Sequence, residues 1–278
     1  MKENKIMTIK ADLHLHTSFS GDSTAPMEEM ILAGIARGLE TMCITEHMDP
    51  DYVYANPEEE GTFELNTDSY LYELIRCKEK YAGKIKLLFG VELGVQPHIR
   101  RRLALYAKSY DFDFIIASSH LCNQRDPYYP DFYKGRSDEE AYLEYFTSVL
   151  DNLKAFENYD VYGHLDYVVR YGKAKDDNYC YDMYKDIFDR ILETLIAKGK
   201  GLEVNTGAIG YQLKELNPCT EILKRYKELG GEIVTIGSDA HAPEDIARGF
   251  DRAGEILCQC GFKYYAVFEN RLPEFHRL

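Results

Sequence analysis

Short apolar runs alternate along this chain with longer stretches whose apolar residues recur every three to four positions. That rhythm predicts strands joined by helices around a parallel sheet. Seven runs read as strands: Thr8–His16, Thr41–Thr45, Lys86–Val91, Phe112–Ser118, Asp160–Tyr162, Gly201–Asn205 and Ile233–Ser238. Between them lie helical patterns, one opening at Pro26, Glu28 and Glu29 and ending near Gly38, others through Leu71, Leu74 and Ile75, over Ile99–Lys108, over Ser137–Phe156, through Ile187, Ile191, Leu195 and Ile196, and through Ile222 and Leu229. A last helix, Asp251–Cys260, and the aromatic run Tyr264–Phe268 close the barrel or pack beneath it. No repeat or linker divides the sequence, so residues 1–278 are expected to form one domain.

Composition narrows the function. The chain has 278 residues, 45% hydrophobic and 29% charged, with a formal net charge of −14. Such a balance repels long polyanions and argues against nucleic acid as a partner, while leaving room for a small phosphorylated substrate in a locally cationic pocket. No segment resembles a signal peptide or a membrane span, and the seven cysteines contain no C-x-x-C pair. A reducing, cytoplasmic setting is expected, with no membrane partner. Nothing in the chain specifies an oligomeric state.

The candidate chemistry begins at Asp12-Leu13-His14-Leu15-His16. Alternate residues of an extended strand share a face, so His14 and His16 converge while Leu13 and Leu15 point away. Two neutral imidazoles set together suit a borderline-soft divalent cation. Five of the eight histidines, His16, His47, His120, His164 and His241, fall at or just past the C-terminal end of a predicted strand, as do Glu92 and Asp239. The C-terminal rim of a (β/α) barrel is where side chains from different strands meet, so this clustering predicts one shared site.

The blocks DLHLHTSFSGD, ITEH, SSH with GHLD, and GSDAH resemble those of the PHP (polymerase and histidinol phosphatase) metallohydrolases, over nearly the whole chain. PYYPDFYKGR, GHLDYVVRYG and GFKYYAVF are similar to the monofunctional histidinol-phosphate phosphatases of that family. The resemblance implies a distorted seven-stranded (β/α)7 TIM-like barrel with three divalent metal ions (Zn, Fe or Mn) at its C-terminal rim. It implies His14, His16, Glu92 and Asp239 around one ion, with Glu92 bridging to a second held by His120 and His164. A third would take Asp22, His47 and His241. Glu92, Asp239 and His241 form the expected catalytic set.

Six neutral histidines and three carboxylates around three divalent cations leave a formal charge of +3, a cationic pocket in an acidic protein. Paired ions activate water for in-line attack on a phosphoryl group. An arginine would then steady the phosphoryl oxygens. Arg170, after the GHLD block, is the first candidate for phosphate, or else an ion-pair partner for Asp166; Arg125 and Arg136 come next, and Tyr129 is a further substrate-binding candidate. Related phosphatases usually carry an arginine just past the sixth strand, where this chain reads Asn205-Thr206-Gly207-Ala208-Ile209-Gly210-Tyr211.

Other residues leave two readings. Asp12 orients an imidazole, the preferred reading, or begins a strand as a polar residue, and Glu46 beside His47 is similarly divided. The loop Tyr128–Tyr133 forms a lid or packs on its own barrel. His98, His276 and the run Glu58-Glu59-Glu60 read as surface. The expected activity is hydrolysis of L-histidinol phosphate in histidine biosynthesis. Its alternatives are a phosphoesterase for another small phosphomonoester, such as a nucleotide or sugar phosphate, and a non-catalytic metal-binding regulatory scaffold.

Overall fold

The computed structural model describes residues 9–177 and 179–278; Thr8, expected to open the first strand, lies outside them. Seven parallel strands run in sequence order: β1 (Ala11–Asp12), β2 (Thr41–Met48), β3 (Lys86–Gly94), β4 (Phe114–Ser118), β5 (Val161–Tyr162), β6 (Gly201–Asn205) and β7 (Val234–Gly237). Six helices carry the crossovers: α1 (Met27–Ala36), α2 (Thr67–Lys80), α3 (Arg100–Tyr106), α4 (Asp138–Ala155), α5 (Lys185–Ala197) and α6 (Thr220–Glu228). The expected seven-stranded (β/α) barrel is what forms.

Its seam explains why β1 is so short. Beyond Asp12 the chain stays extended but divides its hydrogen bonds. Leu15 still exchanges with Thr45, donating to Oγ1 at 3.2 Å and accepting from the Thr45 amide at 3.0 Å. On the other side Leu13 donates to Ile236 O (3.1 Å), His14 O accepts from Asp239 N (2.7 Å), and His16 donates to Ala240 O (2.9 Å). These bonds join the first strand to the seventh and close the barrel.

Strand residues are buried on both faces, as covered parallel strands require, and helices present apolar stripes to them. In α5 the stripe is Ile187, Phe188, Ile191, Leu192 and Leu195, all buried. Helix α4 starts at a capping box in which the Ser137 hydroxyl accepts from Glu140 N, and three acids fill its first turn.

The tail answers the question left by the sequence. After α7 (Phe250–Gln259), β8 (Tyr264–Glu269) and β9 (Leu272–Arg277) form a separate antiparallel hairpin. Phe268 stacks on Phe114 at the start of β4, the Tyr265 hydroxyl accepts from Lys10 N at 3.2 Å, and Arg271 Nε donates to Asp160 Oδ2 at 2.5 Å. All three partners lie at N-terminal strand ends. The hairpin therefore packs beneath the barrel, leaving the C-terminal rim to the site.

Candidate metal centre

At that rim the strands bring the nine expected side chains together. His14 Nε2 and His16 Nε2 are 3.1 Å apart. His14 Nε2 is 3.3 Å from Glu92 Oε2 and 3.6 Å from Asp239 Oδ1, and His16 Nε2 is 3.5 and 3.4 Å from the same two oxygens. Ligands at about 2.0–2.1 Å around a tetrahedral ion stand roughly 3.3–3.4 Å from one another, which matches this spacing. One proton could bridge two of these atoms, but not four.

The other Glu92 oxygen, Oε1, faces His164 Nε2 at 2.9 Å and His120 Nε2 at 3.2 Å and accepts from the Ser118 hydroxyl at 2.7 Å. Asp22 Oδ2 lies 3.3 Å from His47 Nε2 and 3.1 Å from His241 Nε2. These donor sets could hold further cations. Buried polar atoms support that reading: Glu92 Oε2 and His47 Nδ1, 3.0 Å apart but misaligned, have no hydrogen-bond partner among the described residues.

Neighbouring groups fix the tautomers. His14 Nδ1 lies 2.5 Å from Glu203 Oε1. The Ser20 hydroxyl donates to Glu46 Oε2 and so accepts from His16 Nδ1 at 3.1 Å. His120 Nδ1 pairs with Asp49 Oδ1 at 2.8 Å. Each Nε2 is thereby aimed at the centre, as metal-binding imidazoles require. Burial raises the pKa of Glu92 and Asp239, but the surrounding imidazoles outweigh it and hold both well below the usual carboxylate range. Burial pushes His16 down to about 3, helped by His47 and His241.

Glu46 thus acts on His16 through Ser20, and burial pushes its pKa up to about 7 despite hydrogen bonds from Ser20 and Thr17. Asp12 does not orient an imidazole. Its carboxylate accepts from Ser238 N at 2.9 Å and Ala247 N at 3.1 Å, pinning the turn in which Asp239 adopts a left-handed φ of 53°. Glu203 and Asp49 were not among the expected residues, yet a signal existed for each. Glu203 is a carboxylate inside an otherwise apolar strand, and Asp49 stands two residues from His47 on an extended chain.

A cavity of about 710 Å³ opens over the cluster, lined by Asp22, His47, His120, His164, Asp239 and His241 together with Tyr128, Tyr129, Tyr167, Arg170, Tyr171, Tyr211 and Arg248. Arg170 lies on its wall, 3% exposed, and its ion-pair partner is Asp239 (Nη1 to Oδ2, 3.0 Å), not Asp166. Asp166 instead accepts from Asn217, Tyr179 and Cys219 N. Arg125 and Arg136 do not reach the cavity. Both bind Glu144 of α4, and both lie over the Phe132 ring, because the aromatic loop turns its arginine flanks outward against that helix. The loop divides its work: Phe132 and Tyr133 are buried beneath it, while Tyr128 and Tyr129 face the cavity. Among the described residues no helix is long and apolar enough to cross a membrane.

Comparison with known proteins places the sequence and fold among relatives. The family model described as the PHP domain matches residues 12–207. The histidinol-phosphatase of Lactococcus lactis is 34% identical over 262 residues, covering 94% of this chain and 95% of the relative. A probable histidinol-phosphatase of Clostridium acetobutylicum is also 34% identical, over 95% of this chain and 98% of its own. Among solved structures, the Lactococcus histidinol phosphate phosphatase complexed with zinc, L-histidinol and phosphate superposes with a TM-score of 0.88 at 32% identity, covering 95% of this chain and 98% of that one. By motif, barrel and rim alike, the chain belongs to the PHP-domain family.

Proposed function

We propose that this chain is a metal-dependent phosphatase that hydrolyses L-histidinol phosphate to L-histidinol and phosphate, working in histidine biosynthesis in the cytoplasm. The observation that carries the reading is the superposition, over nearly full length, on a relative complexed with zinc, histidinol and phosphate. The nine converging side chains fit the three-ion assignment: His14, His16, Glu92 and Asp239 for one ion, Glu92, His120 and His164 for another, and Asp22, His47 and His241 for a third. Bound divalent ions, whether Zn, Fe or Mn, supply positive charge for phosphoryl oxygens and make hydroxide available near neutral pH.

The chain's own residues do the rest. Asp239 borders the cavity with Oδ1 near His14 and His16 and Oδ2 held by Arg170, so it can orient the attacking water by accepting a hydrogen bond from it. Arg170 fixes that carboxylate and offers a second Nη1 hydrogen to a phosphoryl oxygen. His241 lines the same cavity, and Glu92 is buried behind it, facing His120 and His164. Tyr128 and Tyr129 line the same cavity as the carboxylates of Glu59 and Asp126, a setting suited to the imidazole and ammonium groups of histidinol. Seven free cysteines are consistent with a reducing compartment.

The test is turnover of histidinol phosphate beside a panel of nucleotide and sugar phosphates, with metal content measured on the same sample. Histidinol phosphate should lead by at least an order of magnitude in kcat/KM. Equal or better turnover of another ester would reject the substrate, and a metal-loaded protein inert on every ester would reject the enzyme.

A further inference from the structure

Among the described residues two arginines line the cavity, and they are differently occupied. Each Arg170 nitrogen already donates: Nε to Asn217 Oδ1 at 2.8 Å, Nη2 to Asn205 Oδ1 at 2.9 Å, and Nη1 to Asp239. Tyr211 and Tyr167 cover its faces, 4.8 and 5.3 Å from the guanidinium carbon. Arg248, from the loop after β7, makes one ion pair, Nη1 to Asp245 Oδ1 at 2.6 Å, and its side chain is 37% exposed. Among the described residues its Nε and Nη2 donate no hydrogen bond.

Arg248 also lies where the sequence shows a gap. A Cβ on Gly210, in the loop after β6, would stand 2.8 Å from Arg248 Nη2. Gly210 is not in the left-handed region, so what its missing side chain provides is space for that guanidinium. The loop that carries no arginine of its own has one laid across it from the next loop.

We propose that Arg248 is a substrate-binding residue for the phosphoryl group, its guanidinium seated over Gly210 with Nε and Nη2 turned to phosphate oxygens. The inference rests on the phosphatase reading above but not on the identity of the alcohol. A planar fork with two unused donors at the edge of a cavity lined by candidate metal ligands matches a phosphate dianion. The neighbouring Asp245 keeps the fork in place.

The test titrates inorganic phosphate into the metal-loaded protein by calorimetry and measures phosphate and L-histidinol as inhibitors, for wild type, Arg248→Gln, Arg248→Lys, Gly210→Ala and the Gly210→Ala/Arg248→Gln double variant. Loss of a charge-assisted hydrogen bond predicts phosphate binding roughly 10- to 100-fold weaker in Arg248→Gln. Arg248→Lys should recover part of it, metal content and histidinol inhibition staying as in wild type. Gly210→Ala should weaken phosphate several-fold alone and add nothing in the double variant. Phosphate affinity within twofold of wild type in Arg248→Gln, an equal loss of histidinol affinity, or an additive double variant would overturn the proposal. If wild type prefers another ester, the substrate reading fails while the phosphate titration still decides Arg248.

Discussion

Replacing Glu203 by Gln should weaken the metal centre without touching any proposed ligand. Glu203 is 1% exposed. Its Oε1 takes the His14 Nδ1 proton at 2.5 Å, and its Oε2 accepts from His164 N at 2.8 Å and Asn205 Nδ2 at 3.2 Å. A glutamine of the same shape cannot satisfy all three. With its oxygen toward His14, its NH2 meets two donors in a buried place. Turned the other way, its NH2 faces His14 Nδ1, which must become an acceptor, and the proton moves to Nε2 where an ion would bind.

Loss of a carboxylate behind a metal-binding histidine typically costs about 10- to 100-fold in affinity. At fixed, saturating metal that is about 1.4–2.7 kcal/mol of lost stabilisation. In a chain of this size the unfolding midpoint should fall by roughly 3–10 °C. The assay pairs competition against a chromogenic chelator with thermal unfolding in excess metal and in excess chelator. Glu203→Gln should release metal at lower chelator concentration, and its deficit in Tm should be larger with metal than without. A metal Kd within twofold of wild type would show that His14 needs no carboxylate behind it, and the tautomer argument would fail.

Other outcomes follow from the same contacts. On the protein groups alone burial lowers the pKa of His14, His47 and His120, but facing carboxylates outweigh it and raise all three, His120 to about 10. Burial is likewise outweighed at His241, which Asp22 and Asp239 raise as well. A raised pKa favours protons on these imidazoles that an entering ion must displace, so calorimetry in buffers of different ionisation enthalpy should show release of about three to four protons; uptake, or none, would contradict the assignment. Gly237→Ala places a Cβ 2.2 Å from His14 Cβ, so expression or Tm should collapse, and a protein of unchanged Tm would mean the seam beside β7 is looser than drawn. Arg271→Ala leaves the largely buried Asp160 carboxylate with the Ile115 amide as its one hydrogen-bond donor among the described residues, which should cost about 1–3 kcal/mol in urea unfolding with kcat unchanged; a changed kcat would link the hairpin to the site.

Much of the site was legible because its residues are of a kind that strands seldom carry for packing. His14 and His16 share a face by the two-residue period alone, and the remaining ligand candidates sit at or near strand ends, except Asp22, which lies in a loop and was named only through the resemblance. What could not be read was reach. Arg125 and Arg136 stand near the aromatic loop in sequence, but Glu144, a turn and a half into α4, holds both, and only the docking of loop on helix sets that choice. Arg248 lies far along the chain from Gly210, and its place over the loop after β6 follows from the order in which the barrel closes. Glu203 was readable in part, since Gly201, Glu203 and Asn205 share a face of an otherwise apolar strand, but its partner His14 comes from the opposite end of the chain's strand order and reaches it only across the closing seam.

These additions change the electrostatics of the pocket. Counting only nine ligands, three divalent ions leave a formal charge of +3. Asp49 and Glu203, each hydrogen-bonded to an imidazole of the set, reduce this formal count to +1. Arg170, paired with Asp239, brings the centre back toward +2, the complement of a phosphate monoester dianion. Such a balance binds the dianion without excess charge to hold the product phosphate after the ester bond breaks. It also leaves little surplus attraction for the substrate at the cavity mouth. An added cation there, held by Asp245 and not among the ligands, raises both capture of the ester and the affinity for phosphate, and Arg248 stands in that position.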